Sequence, residues 1–254
     1  WICKDCFLVQ IDEYKNAREI FNNDYAYFSS YSTTWLKHSK DYVDMISKRL
    51  SLNSESLTVE IASNDGYLLQ YFKEINIPCL GIEPTANTAK VAKEKGINTL
   101  TEYFTESKAK QVAKEFGKAD LILGNNVFAH VPDINDFVKG LKALLKNSGT
   151  ITLEFPHLLR LIENNQYDTI YHEHFWYFSV YSLQNVFKKH QLSIYDIEEL
   201  STHGGSLRLY LKHSENSSLP ILRSVQDIVD TEVKYGIDKF DYYQKFVKRV
   251  SKNK

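Results

Sequence analysis

The chain has 254 residues, 43% of them hydrophobic and 25% charged, with a formal net charge of -1. That is the composition of a globular enzyme of one large or two smaller domains, and it gives no reason to expect nucleic acid or an acidic membrane as partner. No apolar run approaches the roughly 20 residues of a membrane span and no signal peptide is evident, so the cytoplasm is the expected compartment. The 17 Tyr and 14 Phe suit an aromatic-rich core better than a lined pocket, because aromatics supply large buried area wherever they sit.

The chain opens on Trp1 rather than Met, as a fragment does, and Cys3-Lys4-Asp5-Cys6 follows at once. C-x-x-C is the spacing of half a zinc site. A structural zinc takes four ligands, so Cys3 and Cys6 read as a truncated knuckle, with a redox pair or two unpaired cysteines as rivals. Cys79 reads as a small core residue. An aromatic, turn-like stretch from Asp24 through Tyr25 to Ser32 precedes a helix expected over residues 33–50, with Val43, Ile46 and Leu50 on one face.

A strand expected over 57–62 runs into Ser63-Asn64-Asp65-Gly66 and a helix that Gly66 opens, ended by Asn76 and Pro78. A second strand over 79–83 ends in Glu83. Thr85 is placed to cap the next helix, with Gly96 at its C-terminus. Strands over 97–100, 119–125 and 150–155 alternate with helices over 106–116 and from Asp133 to a closing Gly149. Strand and helix in alternation predict an α/β fold with a parallel sheet and helices on both faces. Strands over 192–200 and 206–212, joined across Gly204-Gly205, predict a terminal antiparallel hairpin. The whole is a seven-stranded, mostly parallel, Rossmann-like sheet. Beyond Pro220 the chain turns charged and helical. The expected organisation is 1–23 as a remnant of a zinc-binding domain, 24–215 as the main domain, and 216–254 as a linker into a further domain.

The turn after the first strand selects the ligand. A nicotinamide dinucleotide asks for G-x-G-x-x-G so that its pyrophosphate reaches the backbone; residues 62–66 hold one glycine, and Asp65 repels phosphate. Glu60 at the strand end suits an ammonium group, and Glu83 stands where a carboxylate meets ribose hydroxyls. The ligand so described carries a cation and an amino-acid tail but no phosphate, which is S-adenosylmethionine. Ala62, Asn64, Asp65, Gly66, Pro84 and the amides of Asn125 and Asn126 are the expected cofactor neighbours. The rival reading makes Glu60 and Asp65 a solvated strand end and a helix cap.

Two histidine-bearing stretches lie beyond strand ends: Asn126-Val127-Phe128-Ala129-His130 and Tyr171-His172-Glu173-His174. Histidine is the natural base near neutral pH, and a tyrosine hydroxyl can donate to an oxyanion. Transfer to carbon needs a carbanion, so a base with oxyanion donors points to a carbon next to a carbonyl. Metal binding by His172 and His174 is the rival; in an extended segment both point away from Glu173, which leaves no third ligand.

The motifs together resemble those of the S-adenosylmethionine-dependent C-methyltransferases of deoxysugar biosynthesis. The matching pieces are Cys3-x-x-Cys6 running into Leu8-Val9-Gln10, Glu60 to Leu69, Gly81-Ile82-Glu83-Pro84, Asn126 to His130, Tyr171 to His174, and His203-Gly204-Gly205-Ser206-Leu207-Arg208. The resemblance implies the class I methyltransferase fold, a zinc-binding N-terminal lid and a C-terminal domain. It implies methylation of carbon 3 of a nucleotide-linked 4-keto-deoxysugar, with His174 as base and Tyr171, Glu173, His130 and Tyr25 around the sugar. Arg208 reaches a phosphate or faces solvent. An O- or N-methyltransferase, a catalytically idle binding module and a nicotinamide oxidoreductase are the competing functions.

Overall fold

A computed structural model describes residues 1–22 and 25–253, the side chains of Arg18 and Asn253 excepted. Asp24, the head of the aromatic stretch, lies outside the described residues. The strands in chain order are β1 (Val9–Gln10), β2 (Thr58–Ile61), β3 (Cys79–Ile82), β4 (Thr99–Leu100), β5 (Ala119–Asn125), β6 (Leu145–Pro156), β7 (Trp176–Tyr177), β8 (Leu192–Leu200) and β9 (Ser206–His213). The α-helices are α1 (Ala17–Ile20), α2 (Thr33–Arg49), α3 (Leu69–Glu74), α4 (Ala86–Glu94), α5 (Glu106–Glu115), α6 (Ile134–Leu144), α7 (Leu158–Glu163), α8 (Val180–Lys189), α9 (Arg223–Tyr235) and α10 (Phe240–Asn253).

Seven strands form one sheet in the order β4-β3-β2-β5-β6-β9-β8, and β1 pairs with β7 apart from it. β2 runs parallel to β3 and β5, β3 parallel to β4, and β8 antiparallel to β9. This is the expected α/β sheet with its terminal hairpin. β2 is buried along its whole length, as a central parallel strand covered on both faces must be.

Three local expectations change. The helix beyond Gly66 starts only at Leu69, and Gly66 itself takes φ +75° in the preceding turn. Thr85 occupies the N-cap of α4, but its side chain makes no cap bond; its hydroxyl donates to Glu83 instead. α6 begins at a cap, with Asp133 Oδ1 accepting from the Asn135 amide at 3.0 Å, but ends at Leu144, and Gly149 lies inside β6. A Cβ on Gly149 would stand 2.9 Å from the Ala119 carbonyl oxygen, so close backbone approach, not a helix end, requires glycine there.

The chain forms two compact units: residues 18–125 with 136–151, and residues 1–17, 126–135 and 152–254. In the first, Val43 and Ile46 of α2, Val59 and Ile61 of β2, Phe72 of α3 and Ile82 of β3 are buried. In the second, α7, Tyr177, Ile237 and α10 residues Tyr243 and Phe246 share a core cluster, with Ile2, Phe7 and Val9 packed against it. Among the described residues no helix is long and apolar enough to cross a membrane.

Candidate functional site

The first unit carries a cluster of buried carboxylates at the ends of β2 and β3. Glu60 pairs in register with Gly81 on β3 and Leu123 on β5. It is fully buried, and neither carboxylate oxygen has a hydrogen-bond partner. Burial pushes its pKa well above the usual range; Tyr67 eases the charge, while Glu83 and Asp65 push further up. An unpaired buried carboxylate is costly, and a cationic ligand is the natural remedy. At the end of β5, Asn125 is nearly buried with its amide nitrogen and oxygen both unpartnered, so a donor and an acceptor stand ready as well.

The turn joining β2 to α3 is bent by three left-handed residues, Ala62 (φ +57°), Asn64 (+49°) and Gly66 (+75°). Two of these are not glycine, a cost met mainly at functional sites. Glu83 holds the turn: Oε2 accepts from the Asn64 amide at 2.8 Å, and Oε1 from the Thr85 amide at 2.8 Å and the Thr85 hydroxyl. Burial nevertheless leaves the Glu83 pKa raised. A carboxylate offers about four lone-pair sites, so capacity for a hydroxyl remains. Pro84 follows directly.

A strap over residues 25–31 is pinned by side chains to this turn and to α4. Asn64 Oδ1 accepts from the Ser29 amide (2.9 Å) and its Nδ2 donates to the Tyr27 carbonyl (3.0 Å). Ser30 donates to Asp65 Oδ2, and Asn87 donates to the Tyr25 carbonyl at 2.7 Å. Lys95 lies 3.4 Å from Asp65 Oδ2, while Asp65 Oδ1 is buried without a partner. Asp65 is therefore no solvated cap. The Tyr25 ring tilts against Phe21 with centroids 5.5 Å apart.

The second unit gathers the imidazoles. Residues 126–130 leave the sheet through Asn126, at φ +53°, whose amide donates to the Glu154 carbonyl at 2.8 Å and whose Oδ1 is buried and unpartnered. Phe128, stacked on Phe178 at 4.6 Å and on Phe187 at 5.8 Å, mounts this loop in the core. The Tyr171–His174 stretch is a turn, closed by the His174 amide on the Tyr171 carbonyl at 3.1 Å, and not the extended segment the sequence suggested. The Phe175 amide then donates to the Ala129 carbonyl (2.8 Å), and Trp176 Nε1 to Val131 (2.6 Å). This brings the His130 and His174 rings to 4.7 Å. The Tyr171 hydroxyl lies 3.2 Å from His174 Nε2.

Burial and the neighbouring His174 lower the His130 pKa to about 3, against the pull of the Glu173 backbone. Burial lowers His174 to about 4, opposed by the Thr169 backbone and assisted by the charge of His203. Both rings are thus neutral at neutral pH, each with a basic nitrogen. Burial, then the Glu173 carboxylate, raises the Tyr171 hydroxyl. Glu173 therefore acts on Tyr171, and His172 is exposed on the turn.

Cys3 and Cys6 sit in a tight knuckle, with the Cys3 amide on the Leu8 carbonyl at 3.0 Å and Phe7 left-handed at φ +57°. The amides of Cys6 and Asp5 lower the Cys3 pKa, which suits a thiolate. Two thiols are half of a zinc set, and among the described residues no group of three His, Cys, Asp or Glu is placed to hold a metal. The described residues do not make a zinc site on their own. Arg208 neither reaches for a phosphate nor faces solvent: it is buried between Glu154 (3.0 Å) and Glu198 (2.8 Å). Sequence reading missed Tyr177, whose hydroxyl accepts from the Tyr171 amide at 3.2 Å, together with Glu154 and His203. Only His203 had a visible signal, in its Gly-Gly neighbours.

The family described as a methyltransferase domain matches residues 35–197, and that of a C-methyltransferase C-terminal domain matches residues 201–254. The C-methyltransferase NovU of Streptomyces niveus is 32% identical over 245 residues, 96% of this chain and 58% of its own length. The chain thus spans little more than half of that relative. Among solved structures, a protein of Pyrococcus horikoshii OT3 superposes with a TM-score of 0.60 at 12% identity, over 79% of this chain and 99% of that one. A SAM-dependent methyltransferase of Anabaena variabilis ATCC 29413 reaches 0.55 at 17%, over 68% and 83%. The magnesium protoporphyrin IX methyltransferase of Synechocystis PCC 6803, solved with bound SAH, reaches 0.52 at 14%, over 76% and 90%. Such identities speak for the fold alone; the match over residues 35–197 settles descent, and the chain belongs to the methyltransferase-domain family.

Proposed function

We propose that the chain carries the catalytic part of an S-adenosylmethionine-dependent C-methyltransferase acting on carbon 3 of a nucleotide-linked 4-keto-deoxysugar. Likeness to a C-methyltransferase and the match to a C-methyltransferase C-terminal domain support a carbon acceptor. The observation that carries the reading is the neutral His174 imidazole with its Nε2 3.2 Å from a tyrosine hydroxyl.

Glu60, Asn125 and Glu83 are the groups that would hold the cofactor: the first meets its cationic end, the second its polar atoms, the third its ribose. When bound, S-adenosylmethionine supplies an electrophilic methyl carbon on a sulfonium. The 4-keto group acidifies the hydrogen on carbon 3, and His174 removes that proton. Tyr171 donates to the developing enolate oxygen, with His130 as the neighbouring imidazole, and Tyr25 contacts the sugar. A bound cofactor would supply the methyl group to carbon 3, and the proton taken from that carbon resides on His174 until solvent takes it.

Replacing His174 by Asn is expected to abolish methyl transfer while calorimetry with S-adenosylhomocysteine returns near wild-type affinity. If the variant exchanges the carbon-3 hydrogen with solvent deuterium as fast as wild type, another residue is the base. An acceptor turned over with no C–H exchange at all in wild type would point instead to oxygen or nitrogen methylation.

A further inference from the structure

The turn that carries Tyr171 and His174 is held differently at its two ends. At the His174 end the anchors are backbone groups: the Phe175 amide donates to the Ala129 carbonyl at 2.8 Å, and the Phe175 carbonyl accepts from the Ile11 amide at 3.0 Å. At the other end the Tyr171 amide donates to a side chain, the Tyr177 hydroxyl, at 3.2 Å. Tyr171 is 39% exposed, so packing does little to fix it, and the hold on its amide decides where its ring stands. Tyr177 makes a firm support. It is 7% exposed, in the core cluster it shares with α7, Ile237, Tyr243 and Phe246, and it pairs with Val9 across the β1–β7 ladder. Burial pushes its phenol up to about 12, although the Tyr171 backbone eases it; the hydroxyl therefore keeps its proton at neutral pH and accepts through a lone pair. Its ring meets His174 edge-on, with centroids 6.1 Å apart, and the Tyr171 ring lies 4.4 Å from that of His174. One buried side chain thus reaches both members of the pair.

We propose that Tyr177 is a positioning residue: by accepting from the Tyr171 amide, its hydroxyl keeps the Tyr171 hydroxyl beside His174 Nε2, 3.2 Å away. A single hydrogen bond between neutral groups adds little to the stability of a fold. A catalytic donor displaced by about 1 Å, by contrast, can cost on the order of 100-fold in rate. Loss of the one oxygen therefore weakens turnover far more than folding, because the Tyr171 end of the turn has a side chain where the His174 end has backbone. The consequence for turnover rests on Tyr171 and His174 doing the chemistry; the hold on the Tyr171 backbone does not.

The test is Tyr177→Phe in the full chain, which keeps the ring and removes the oxygen. Tyr243→Phe is the control, since it loses a hydroxyl of the same core cluster whose partner is the Ile237 carbonyl, at 2.8 Å, rather than the turn. In Tyr177→Phe the Tyr171 amide, followed by NMR, is expected to exchange its hydrogen on the order of tenfold faster. Its kcat is expected to fall on the order of 10–100-fold, with affinity for S-adenosylhomocysteine within about twofold of wild type. Tyr243→Phe is expected to leave the Tyr171 amide and kcat near wild type. Unchanged Tyr171 exchange in Tyr177→Phe overturns the proposal, and so does an equal change in both variants, which marks an effect on the core. A ring-fluorinated tyrosine at position 177, which returns the oxygen, should restore the protection of the Tyr171 amide. Should Tyr177→Phe fail to fold, the fluorinated protein decides alone: its phenol is more acidic, and the Tyr171 amide shift has to follow its ionisation, a stationary shift overturning the proposal. If the Tyr171 amide loosens in Tyr177→Phe and turnover does not fall, Tyr171 is no part of the chemistry, while the hold of Tyr177 on its backbone stands.

Discussion

Glu60 offers the sharpest test of the carboxylate cluster, through its replacement by glutamine. The side chain is fully buried with both oxygens unpartnered, so the amide fits the same volume and breaks no hydrogen bond. The carboxyl pKa is raised by burial, with Glu83 and Asp65 adding to it. The sign follows from linkage: a carboxyl harder to ionise in the fold than in the unfolded chain weakens the fold as pH rises above its unfolded value of about 4.3. Glutamine has no proton to lose, so the ligand-free variant is expected to match or exceed wild type in urea melts at pH 8, with the gap closing towards pH 5. Cofactor binding moves the other way. A hydrogen bond to a charged group is worth about 1.5–3 kcal/mol, so calorimetry with S-adenosylmethionine is expected to show roughly 10–150-fold weaker binding. Wild-type affinity in the variant would refute the assignment of Glu60 to the cationic end. A ligand-free variant less stable than wild type at pH 8 would refute the claim that its carboxylate is uncompensated.

Two further predictions concern the supports. A Cβ on Gly81 would stand 2.4 Å from Ser63 Oγ and 3.2 Å from Thr99 Oγ1, so Gly81→Ala should cost about 1–3 kcal/mol in denaturant melts. Adding Ser63→Gly should recover most of that; no recovery means the strain lies elsewhere. His130 and His174, lowered to about 3 and about 4, are depressed relative to the unfolded chain. Their share of stability is whole above pH 6.5 and is lost as pH falls below it, by at most about 1.4 kcal/mol per pH unit for each ring. His130→Gln should therefore flatten the fall of stability between pH 6.5 and 4.5, and an unchanged slope would count against a neutral buried ring.

The fold was legible where hydrophobic runs decide it. β5 and β8 have the bounds expected from sequence, because Leu121 to Leu123 form an apolar run in β5, buried Leu192, Ile194, Tyr195 and Ile197 are interleaved with polar residues in β8, and polar turns flank both. Punctuation was less reliable. Gly149 sits after a periodic helix as a terminator would, yet its role is to let β6 pass the backbone of Ala119, a contact between segments thirty residues apart. The turn at His172 and Glu173 was invisible because neither residue is a turn former; tertiary bonds from 126–131 to 175–176 impose it. Arg208 looked like a surface or phosphate-binding arginine for the same reason. Its carboxylate partners come from β6 and β8, and no local pattern announces them.

The strap over residues 25–31 is joined to the β2–α3 turn by the side chains of Asn64 and Ser30, and to α4 by that of Asn87, rather than by a strand ladder. A ladder accepts almost any sequence, since it uses only backbone atoms. These bonds read particular amides and a hydroxyl, so the strap and the turn form one inheritable module split between two places in the chain. Anyone recombining segments with a relative has to keep Asn64 and Asn87, which reach strap backbone that any sequence supplies, and to move Ser30 together with Asp65, the one pair in which both partners are side chains.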